Sequence, residues 1–532
     1  MIRLYRTEKF FFTRFELTRL VCLALFLTFA LTGCAGKHAS GEINFKGKVL
    51  DLNKFPQDLT PFARAAGETR PLLAPARQAA EAERYKTLFF KPWSLTKSST
   101  PRGELAKLCA AYAKKQGYQA NGEPLPAGAF AQAAANANTR AFPSAAFKGI
   151  VVNNTALRAL PTVLPHYANP KLPGEGYPFD YLQYSALWVG TPVFVSHISK
   201  DRNWLFCETA FVSGWVLASD VAFVSDAFVA RWQQLPLGAV LSDNLSISSQ
   251  NNGQSAILYN GAYGGPYNAA SAGRDSGAFS MVPSSGPTNH ATWANSNPLV
   301  GPDQAGASNS SNRIEPGRGG PGSKFALRLG TLLPFDGKDV LLPVAGGQAG
   351  NSASWRSVSA AAGSVGAFPV PVSAGQIAAL GNQMLGAPYG WGGIDYNRDC
   401  SSLLRDLFTP FGLWLPRNSS QQIKEGQDTD ISYLNPAQKE GLLKSLGVPF
   451  LTLLGMPGHV ALYVGQFEGE PAIFHSIWAA RLRYASGNEQ NDGRLIIGKV
   501  AVTSLQPGAE YVEVQNAGTL IKRFKVMTVL GY

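Results

Sequence analysis

A cysteine and two histidines in the C-terminal third of the chain have the residue types of a nucleophilic acyl-transfer site. Cys400 lies between Asp399 and Ser401, both good helix-starting residues, and the apolar spacing after them is helical. Cys400 is therefore predicted in the first turn of a helix, where unpaired backbone N–H groups and the helix dipole favour a thiolate. Without partners, a lone cysteine is more often an inert buried side chain.

The two histidines, His459 and His475, are the candidate partners of Cys400. The runs that contain them alternate like β-strands, and the linker between the runs is short enough for a hairpin. If Gly465 pairs with Pro471, both histidines project from one face of the sheet as diagonal neighbours, roughly 7–8 Å apart at their backbones. A shift of one residue in register would place them on opposite faces. A core or surface role is the alternative for either histidine alone.

A thiol that faces two imidazoles can carry out acyl transfer. One imidazole accepts the thiol proton and later gives it to the leaving amine, while the second orients the first. The chain has no Cys-x-x-Cys and no His-x-x-x-His pair, so we expect neither a metal nor a cofactor. Cys109 and Cys207 lie in apolar helical and strand-like runs and are predicted to be buried core thiols.

Five short motifs connect these residues within positions 372–532. They are Tyr389-Gly390-Trp391-Gly392-Gly393, Arg398-Asp399-Cys400-Ser401, Leu415-Pro416-Arg417-Asn418-Ser419-Ser420-Gln421, Gly458-His459-Val460 and Phe474-His475-Ser476. Their sequence and order resemble those of the NlpC family of cell-wall peptidases, which have a permuted papain-like fold.

The resemblance implies a role for each residue of the site. Cys400 would attack an amide carbonyl, His459 would act as general base and then acid, and His475 would orient His459. The oxyanion would be met by the Cys400 backbone N–H, with the Tyr389 hydroxyl nearby. A core aromatic beside a glycine turn is the alternative for Tyr389 and Trp391. No departure from the family pattern occurs at the three catalytic positions.

Four further residues are candidates for substrate binding. In the branch of the family that carries SH3-type domains, residues in the positions of Asp399 and Ser401 help to recognise a substrate amine. Helix capping is the other interpretation of both, and the two roles are compatible. Asp180 and Tyr181, on a long loop of a predicted β-barrel, could reach the cleft.

The resemblance also implies the substrate. Relatives cut the bond between D-γ-glutamate and a diamino acid in peptidoglycan stem peptides, and the SH3-bearing branch tends to prefer a free N-terminal L-Ala. Two alternatives stay open. One is a non-catalytic wall-binding lipoprotein, and the other is a papain-like amidase or acyltransferase that acts on a different substrate.

The sequence patterns outside the site predict the elements that must position it, and together they indicate a multidomain α+β protein, in which the family resemblance implies a permuted papain-like peptidase domain. Residues 157–162, 179–183 and 213–216 resemble a bacterial SH3-type domain, and a weaker second copy follows. The predicted order is a mostly helical domain at 34–147, an SH3-like barrel at 148–226, a second barrel at 227–350 with a flexible Gly/Ser/Asn-rich insert at 248–323, and the peptidase domain at 372–532.

The N-terminal segment is typical of an exported lipoprotein. A basic region precedes an apolar run of secretory-signal length, and residues 31–34 resemble a bacterial lipobox. We therefore predict a signal peptide at 1–33 and lipidation of Cys34, which would tether the protein to an envelope membrane. Ala35 favours the outer membrane. An uncleaved anchor or an ordinary cleavage site is the alternative.

Charge excludes few classes of partner. The formal net charge is +12, and removal of residues 1–33 takes away five basic and two acidic residues, leaving +9. Such an excess suits an anionic envelope and also nucleic acid. Because the basic residues are scattered and the chain is predicted to be exported, we expect no nucleic-acid partner.

Overall fold

The computed structural model describes residues 44–45, 48–249, 255–258, 324–346, 352–486 and 489–532. The predicted signal peptide and Cys34 lie outside the described residues, as does most of the predicted insert at 248–323. In the described part of the chain, no helix has both the length and the apolar content needed to cross a bilayer.

The N-terminal region is helical, as predicted. Pro92 follows the longest of its helices and lies within a short 3-10 turn at Lys91–Ser94, where its ring prevents continuation of the α-helix. Cys109 is 3 % exposed and packs with Leu105 and Tyr112, which confirms the predicted core thiol. The helices are α1 (Asp51–Lys54), α2 (Thr60–Ala65), α3 (Pro75–Phe89), α4 (Arg102–Ala113) and α5 (Ala131–Asn136).

A seven-stranded antiparallel sheet follows and forms the SH3-like unit. Alternating apolar residues fill its interior, where Cys207 is fully buried, so Cys207 is a core thiol as predicted. Trp215 is also fully buried, but it belongs to the cluster that contains Leu105 and Phe130 of the N-terminal region. Its strands are β2 (Phe147–Val151), β3 (Thr155–Arg158), β4 (Gln183–Leu187), β5 (Pro192–Ile198), β6 (Trp204–Glu208), β7 (Ser213–Leu217) and β8 (Val221–Phe223), in the order β4-β3-β7-β6-β5-β2-β8.

A second β-unit begins after helix α6 (Asp226–Gln234), which Ser225 caps. It contains a three-stranded sheet ordered β13-β9-β16 and a five-stranded sheet ordered β12-β10-β11-β15-β14. One of its strands lies inside the predicted insert, and two lie beyond position 350. The strands are β9 (Leu237–Val240), β10 (Leu245–Ser249), β11 (Ser255–Leu258), β12 (Lys324–Leu327), β13 (Leu332–Pro334), β14 (Asp339–Ala345), β15 (Ala353–Ser359) and β16 (Val365–Ala367).

The C-terminal domain sets helices against a seven-stranded sheet ordered β1-β21-β20-β19-β18-β22-β17. Strand β1 (Asn44–Phe45) joins this sheet from the start of the described chain and pairs in parallel with β21. The helices are α7 (Ala374–Asn382), α8 (Cys400–Phe408), α9 (Ser419–Gln422), α10 (Pro436–Leu446), α11 (Val512–Ala517) and α12 (Leu520–Arg523). The strands are β17 (Gly426–Asp430), β18 (Thr452–Met456), β19 (His459–Phe467), β20 (Glu470–Ser486), β21 (Glu489–Ser504) and β22 (Val526–Leu530).

The N-terminal helices share the core of the C-terminal domain. Leu59 and Phe62 of the helical region belong to the same buried cluster as Leu403 and Leu407 of α8 and Phe474 of β20. Each such side chain contributes about 1.5–3 kcal/mol when it is fully buried. The helix that begins at Cys400 is therefore anchored in a core that the sheet and the N-terminal helical region share.

The histidine hairpin departs from the predicted register near its turn. Gly465 pairs with Ala472 rather than with Pro471, because Val464 lies in a bulge. Before the bulge, Leu462 pairs with Phe474, which is the register that the prediction requires. A bulge adds one residue to one strand and thereby changes the pairing on one side of it only. The histidines consequently keep their common face.

Candidate active site

Cys400 is the first residue of α8, as the sequence predicts. Asp399 caps this helix by accepting a hydrogen bond from the Ser402 N–H at 2.9 Å, and the Ser402 hydroxyl interacts in return with the Asp399 backbone N–H, forming a capping box. The Ser476 hydroxyl of β20 donates to the Arg398 carbonyl at 2.7 Å and so fixes the approach to the helix. Cys400 is 6 % exposed.

The Cys400 thiol is protonated in the resting site. Burial first, and the Asp399 carboxylate second, raise its pKa to about 12, whereas N–H groups of Val460 and Ser401 and the Arg417 guanidinium lower it. The helix start was expected to favour a thiolate, but burial outweighs that effect. The nucleophile must therefore form by transfer of the thiol proton to a base.

His459 is the residue predicted to be that base. It begins β19, and the backbone N–H of Val460, the next residue, hydrogen-bonds to the Cys400 sulfur. Burial first and the Arg523 guanidinium second lower the pKa of His459 to about 4. His459 is thus neutral at physiological pH and able to accept a proton.

His475 lies directly behind His459. The His459 Nε2 and His475 Nδ1 atoms are 2.9 Å apart, and His475 is fully buried. Its other ring nitrogen, Nε2, lies 3.1 Å from the Thr503 hydroxyl on β21. Burial holds the pKa of His475 well below its usual value, and the neighbouring His459 lowers it further. The predicted juxtaposition of the two histidines is therefore present in the structure.

The carboxylate beside the nucleophile belongs to a buried ion pair. The Arg417 guanidinium donates to both Asp399 oxygens, at 2.6 and 3.1 Å, and to the Ser401 hydroxyl at 2.9 Å. Although burial alone would raise the pKa of Asp399, Arg417 lowers it to about 2. Arg417 also donates to the Ser185 hydroxyl of β4 at 3.0 Å, which links the site to the first β-unit.

Asp399 and Ser401, both predicted to bind a substrate amine, consequently have protein partners. The Ser401 hydroxyl donates to Asp399 at 3.0 Å, and the Gly392 N–H donates to the other carboxylate oxygen at 3.0 Å. The hydrogen bond from the Ser402 N–H confirms the capping interpretation of Asp399. Amine recognition stays a prediction.

Tyr389 lies beside the nucleophile and is 9 % exposed. Burial, with smaller contributions from Cys400 and Asp399, raises the pKa of its phenol well above 10.0. Its hydroxyl therefore stays protonated and can donate a hydrogen bond to an oxyanion. The Cys400 backbone N–H, in the first turn of α8, has no acceptor within the helix and provides a further donor.

The first β-unit sends a loop against the catalytic domain. The Phe179 ring packs edge-on against Tyr389, Trp391 and Trp478, with ring centroids 6.2, 5.2 and 6.1 Å away. The Gln183 amide donates to the Gly392 carbonyl at 3.1 Å. One wall beside the nucleophile is therefore aromatic and is built from two domains.

The two loop residues that the sequence predicts for substrate binding lie in different surroundings. Asp180 is 1 % exposed and forms an ion pair with Arg158 at 3.1 Å, so its side chain holds the loop. The Tyr181 ring lies 6.2 Å from that of Trp391, and its hydroxyl donates to Glu175 at 2.6 Å. Of the two, Tyr181 is the one that faces the catalytic domain.

The arrangement is suited to acyl transfer through a thioester. A thiol on a helix start, a neutral imidazole, a second imidazole behind it and nearby hydrogen-bond donors are the components of this chemistry. Within the described ranges, no group of His, Cys, Asp and Glu side chains could hold a metal ion.

Sequence reasoning missed three contributors to the site. Arg417 lies in the motif at 415–421, but its partner Asp399 is 18 positions away in the sequence, so no local pattern indicates the pairing. Thr503 and Phe179 come from β21 and from the first β-unit, and their positions depend on long-range contacts that no spacing rule gives.

Three family profiles match separate parts of the chain. Residues 20–142 match the N-terminal NlpC/P60 stabilising domain, residues 165–217 match an SH3 domain of the SH3b1 type, and residues 386–491 match the NlpC/P60 family. All three catalytic positions fall within the last range. No curated protein matches the chain.

One solved structure is similar over most of the chain, and a second is matched more weakly. An NlpC/P60 endopeptidase from Photobacterium damselae subsp. piscicida has 23% sequence identity and a TM-score of 0.71, over 92% of this chain and 99% of its own. This similarity shows a common fold. An NlpC/P60 family protein from Bacillus cereus ATCC 10987 has 14% identity and a TM-score of 0.38, over 72% of this chain and 98% of its own.

Proposed function

Because the C-terminal domain belongs to the NlpC/P60 family, we propose that this cysteine peptidase cleaves the D-γ-glutamyl–diamino acid bond of peptidoglycan stem peptides. The observation that carries the proposal is the 2.9 Å contact between His459 and His475, with Cys400 hydrogen-bonded to the strand that holds His459. In this reaction the Cys400 sulfur attacks the γ-glutamyl carbonyl as its proton passes to His459. The imidazolium then protonates the leaving amine of the diamino acid, and water releases the acyl group.

We further propose that the enzyme prefers short stems with a free N-terminal L-Ala. The aromatic wall to which Phe179, Trp391 and Trp478 contribute lies beside the nucleophile, and its position supports this preference for a small substrate. The buried carboxylate of Asp399 is the predicted amine partner. An acylated amine could not form an ion pair there, so the substrate would lose that stabilisation.

The protein is proposed to act in the cell envelope. The lipobox-like residues 31–34 support export and lipidation of Cys34, which would place the enzyme on a membrane, with the outer membrane favoured by Ala35. Peptidoglycan is available in that compartment. The SH3 domain at 165–217 is compatible with such a substrate.

The proposal is tested with two synthetic peptides, L-Ala-γ-D-Glu-diaminopimelate and its N-acetylated form. Each is incubated with the wild-type protein or with Cys400→Ala, and the products are identified by mass spectrometry. We expect release of diaminopimelate by the wild type alone, and faster release from the free-amine peptide. Equal rates for both peptides would contradict the amine preference only.

A folded, reduced sample that cleaves neither peptide would contradict the substrate assignment. It would favour a wall-binding lipoprotein or an amidase or acyltransferase with another substrate. Alkylation of Cys400 by iodoacetamide separates these two, because only an active site requires a thiol that His459 can deprotonate.

A further inference from the structure

The hydroxyl of Thr503 is the last group in a line of hydrogen bonds that begins at the catalytic histidine. His459 Nε2 lies 2.9 Å from His475 Nδ1, and His475 Nε2 lies 3.1 Å from Thr503 Oγ1. The Thr503 hydroxyl also lies 2.8 Å from the Ser504 carbonyl, to which it donates. Thr503 and His475 are fully buried, so water does not compete for these contacts.

The hydrogens along this line can be assigned by counting. A threonine hydroxyl has one hydrogen, and a carbonyl can only accept. The Thr503 hydroxyl therefore donates its one hydrogen to the Ser504 carbonyl. The contact between Thr503 and His475 then requires that His475 Nε2 carry a hydrogen. A neutral imidazole has only one N–H, so His475 Nδ1 is an acceptor.

The position of the ring hydrogen on His459 follows from that on His475. Because His475 Nδ1 accepts, the hydrogen in the 2.9 Å contact must come from His459 Nε2. His459 Nδ1 is then left without a hydrogen. In the proposed reaction that nitrogen takes the proton from Cys400.

We propose that Thr503 is a positioning residue that sets the tautomers of both histidines and so keeps His459 Nδ1 free to act as the base. The inference deepens the proposed cysteine-peptidase mechanism and rests on it. In the reaction only the thiol proton moves, from Cys400 to His459 Nδ1. His475 and Thr503 keep their hydrogens. His475 Nδ1 accepts a hydrogen bond from the His459 imidazolium, and the Thr503 hydroxyl accepts one from His475 Nε2–H, so both stabilise the positive charge.

The opposite tautomer would disable the site. If His475 carried its hydrogen on Nδ1, it would donate to His459 Nε2, and His459 would then hold its own hydrogen on Nδ1, facing away from His475. The thiol would have no acceptor. Without the Thr503 hydroxyl, the active tautomer would also contain a buried, unpaired N–H at His475, which is a costly arrangement.

Thr503→Val tests the inference, because valine has the shape of threonine without the hydroxyl. The readout is the rate at which iodoacetamide alkylates Cys400 in the full-length protein as a function of pH, measured by mass spectrometry of the Cys400 peptide. We expect the rate near neutral pH to fall roughly ten- to a hundredfold, since the unpaired N–H disfavours the active tautomer. The acid limb of the profile should move to lower pH, because the imidazolium of His459 loses stabilisation while the charge of Arg523 still opposes it.

Two control variants separate positioning from packing. Thr503→Ser keeps the hydroxyl, and we expect it to remain within about threefold of the wild type. Thr528→Val removes another fully buried threonine hydroxyl from the same sheet, one that donates to the Ile423 carbonyl at 2.6 Å. It should leave Cys400 alkylation within about threefold of the wild type, because Thr528 has no contact with the histidines.

A second measurement does not depend on the folding of any variant. Long-range ¹H–¹⁵N correlation spectra of the wild-type protein report which ring nitrogen of each histidine carries the hydrogen. We expect Nε2–H for both His459 and His475. An Nδ1–H tautomer at either residue would overturn the inference. So would a Thr503→Val protein in which Cys400 is alkylated at the wild-type rate. Neither readout uses a peptide substrate, so failure of the proposed function would leave this test intact.

Discussion

Replacement of Arg417 by methionine should destabilise the helix that carries the nucleophile, and it should do so in a pH-dependent way. Arg417 is 4 % exposed and is the cation that holds the pKa of the buried Asp399 at about 2. Relative to the usual 3.8, that shift corresponds to about 2 kcal/mol of stability from the carboxylate. Removing the guanidinium leaves a buried, uncompensated charge, which typically costs about 3–5 kcal/mol.

The sign of the pH dependence follows from the two pKa values of Asp399. In the wild type the folded pKa is depressed, so the contribution is complete above about pH 4 and is lost as the pH falls toward 2. In Arg417→Met the folded pKa is raised instead. The penalty is then largest near neutral pH and shrinks as the pH falls toward about 4, because the buried acid can take up a proton.

Hydrogen exchange of the peptide that covers Cys400–Phe408 is the appropriate assay, since a multidomain chain need not unfold in two states. Arg405→Met is the matched control. It removes a buried arginine from the helix itself, whereas Arg417 lies outside the helix, and its partner Asp406 stays paired with Arg398 at 2.7 Å. A loss of protection in Arg417→Met that does not exceed the control, or that does not recover on acidification to about pH 5, would refute the reasoning.

Two further perturbations test other parts of the site. Gly392 has φ +63°, and a Cβ there would overlap the Gln183 carbonyl, whereas Gly386 has φ +79° and open space around it. Gly392→Ala should therefore lower activity far more than Gly386→Ala. Equal activity of the two variants would argue against a tight contact between the domains. Arg523→Gln removes a charge that lowers the pKa of His459, so the acid limb of the pH profile of Cys400 alkylation should move to higher pH by up to about one unit. Arg523→Lys keeps the charge and should leave the profile in place. An unchanged profile in the glutamine variant would contradict this electrostatic coupling.

The local parts of the site could be predicted from the sequence. An N-cap residue before a helical apolar pattern places Cys400 at a helix start, and strand alternation places His459 and His475 on one face. Both rules depend only on neighbouring residues. The Val464 bulge was missed because nothing in the local alternation shows an extra residue, so the pairing of Gly465 was wrong although the register at the histidines was right.

The long-range parts could not be predicted. The thiol pKa depends on burial that the whole domain creates, and this outweighs the helix terminus. The partners of Asp399 and His475 come from positions 417 and 503, on other elements of the domain. The aromatic wall requires Phe179 from another domain. Each depends on tertiary packing rather than on a period or a spacing.

Trapping the covalent intermediate tests the central claim most directly. The full-length protein is mixed with L-Ala-γ-D-Glu-diaminopimelate, quenched in acid and digested, and the Cys400 peptide is examined by mass spectrometry. We expect an L-Ala-γ-D-glutamyl thioester on Cys400 in the wild type and none in Cys400→Ala. The retained acyl group would identify both the nucleophile and the bond that it cleaves. Cleavage that persists in Cys400→Ala, or an acyl group on a different residue, would contradict the claim.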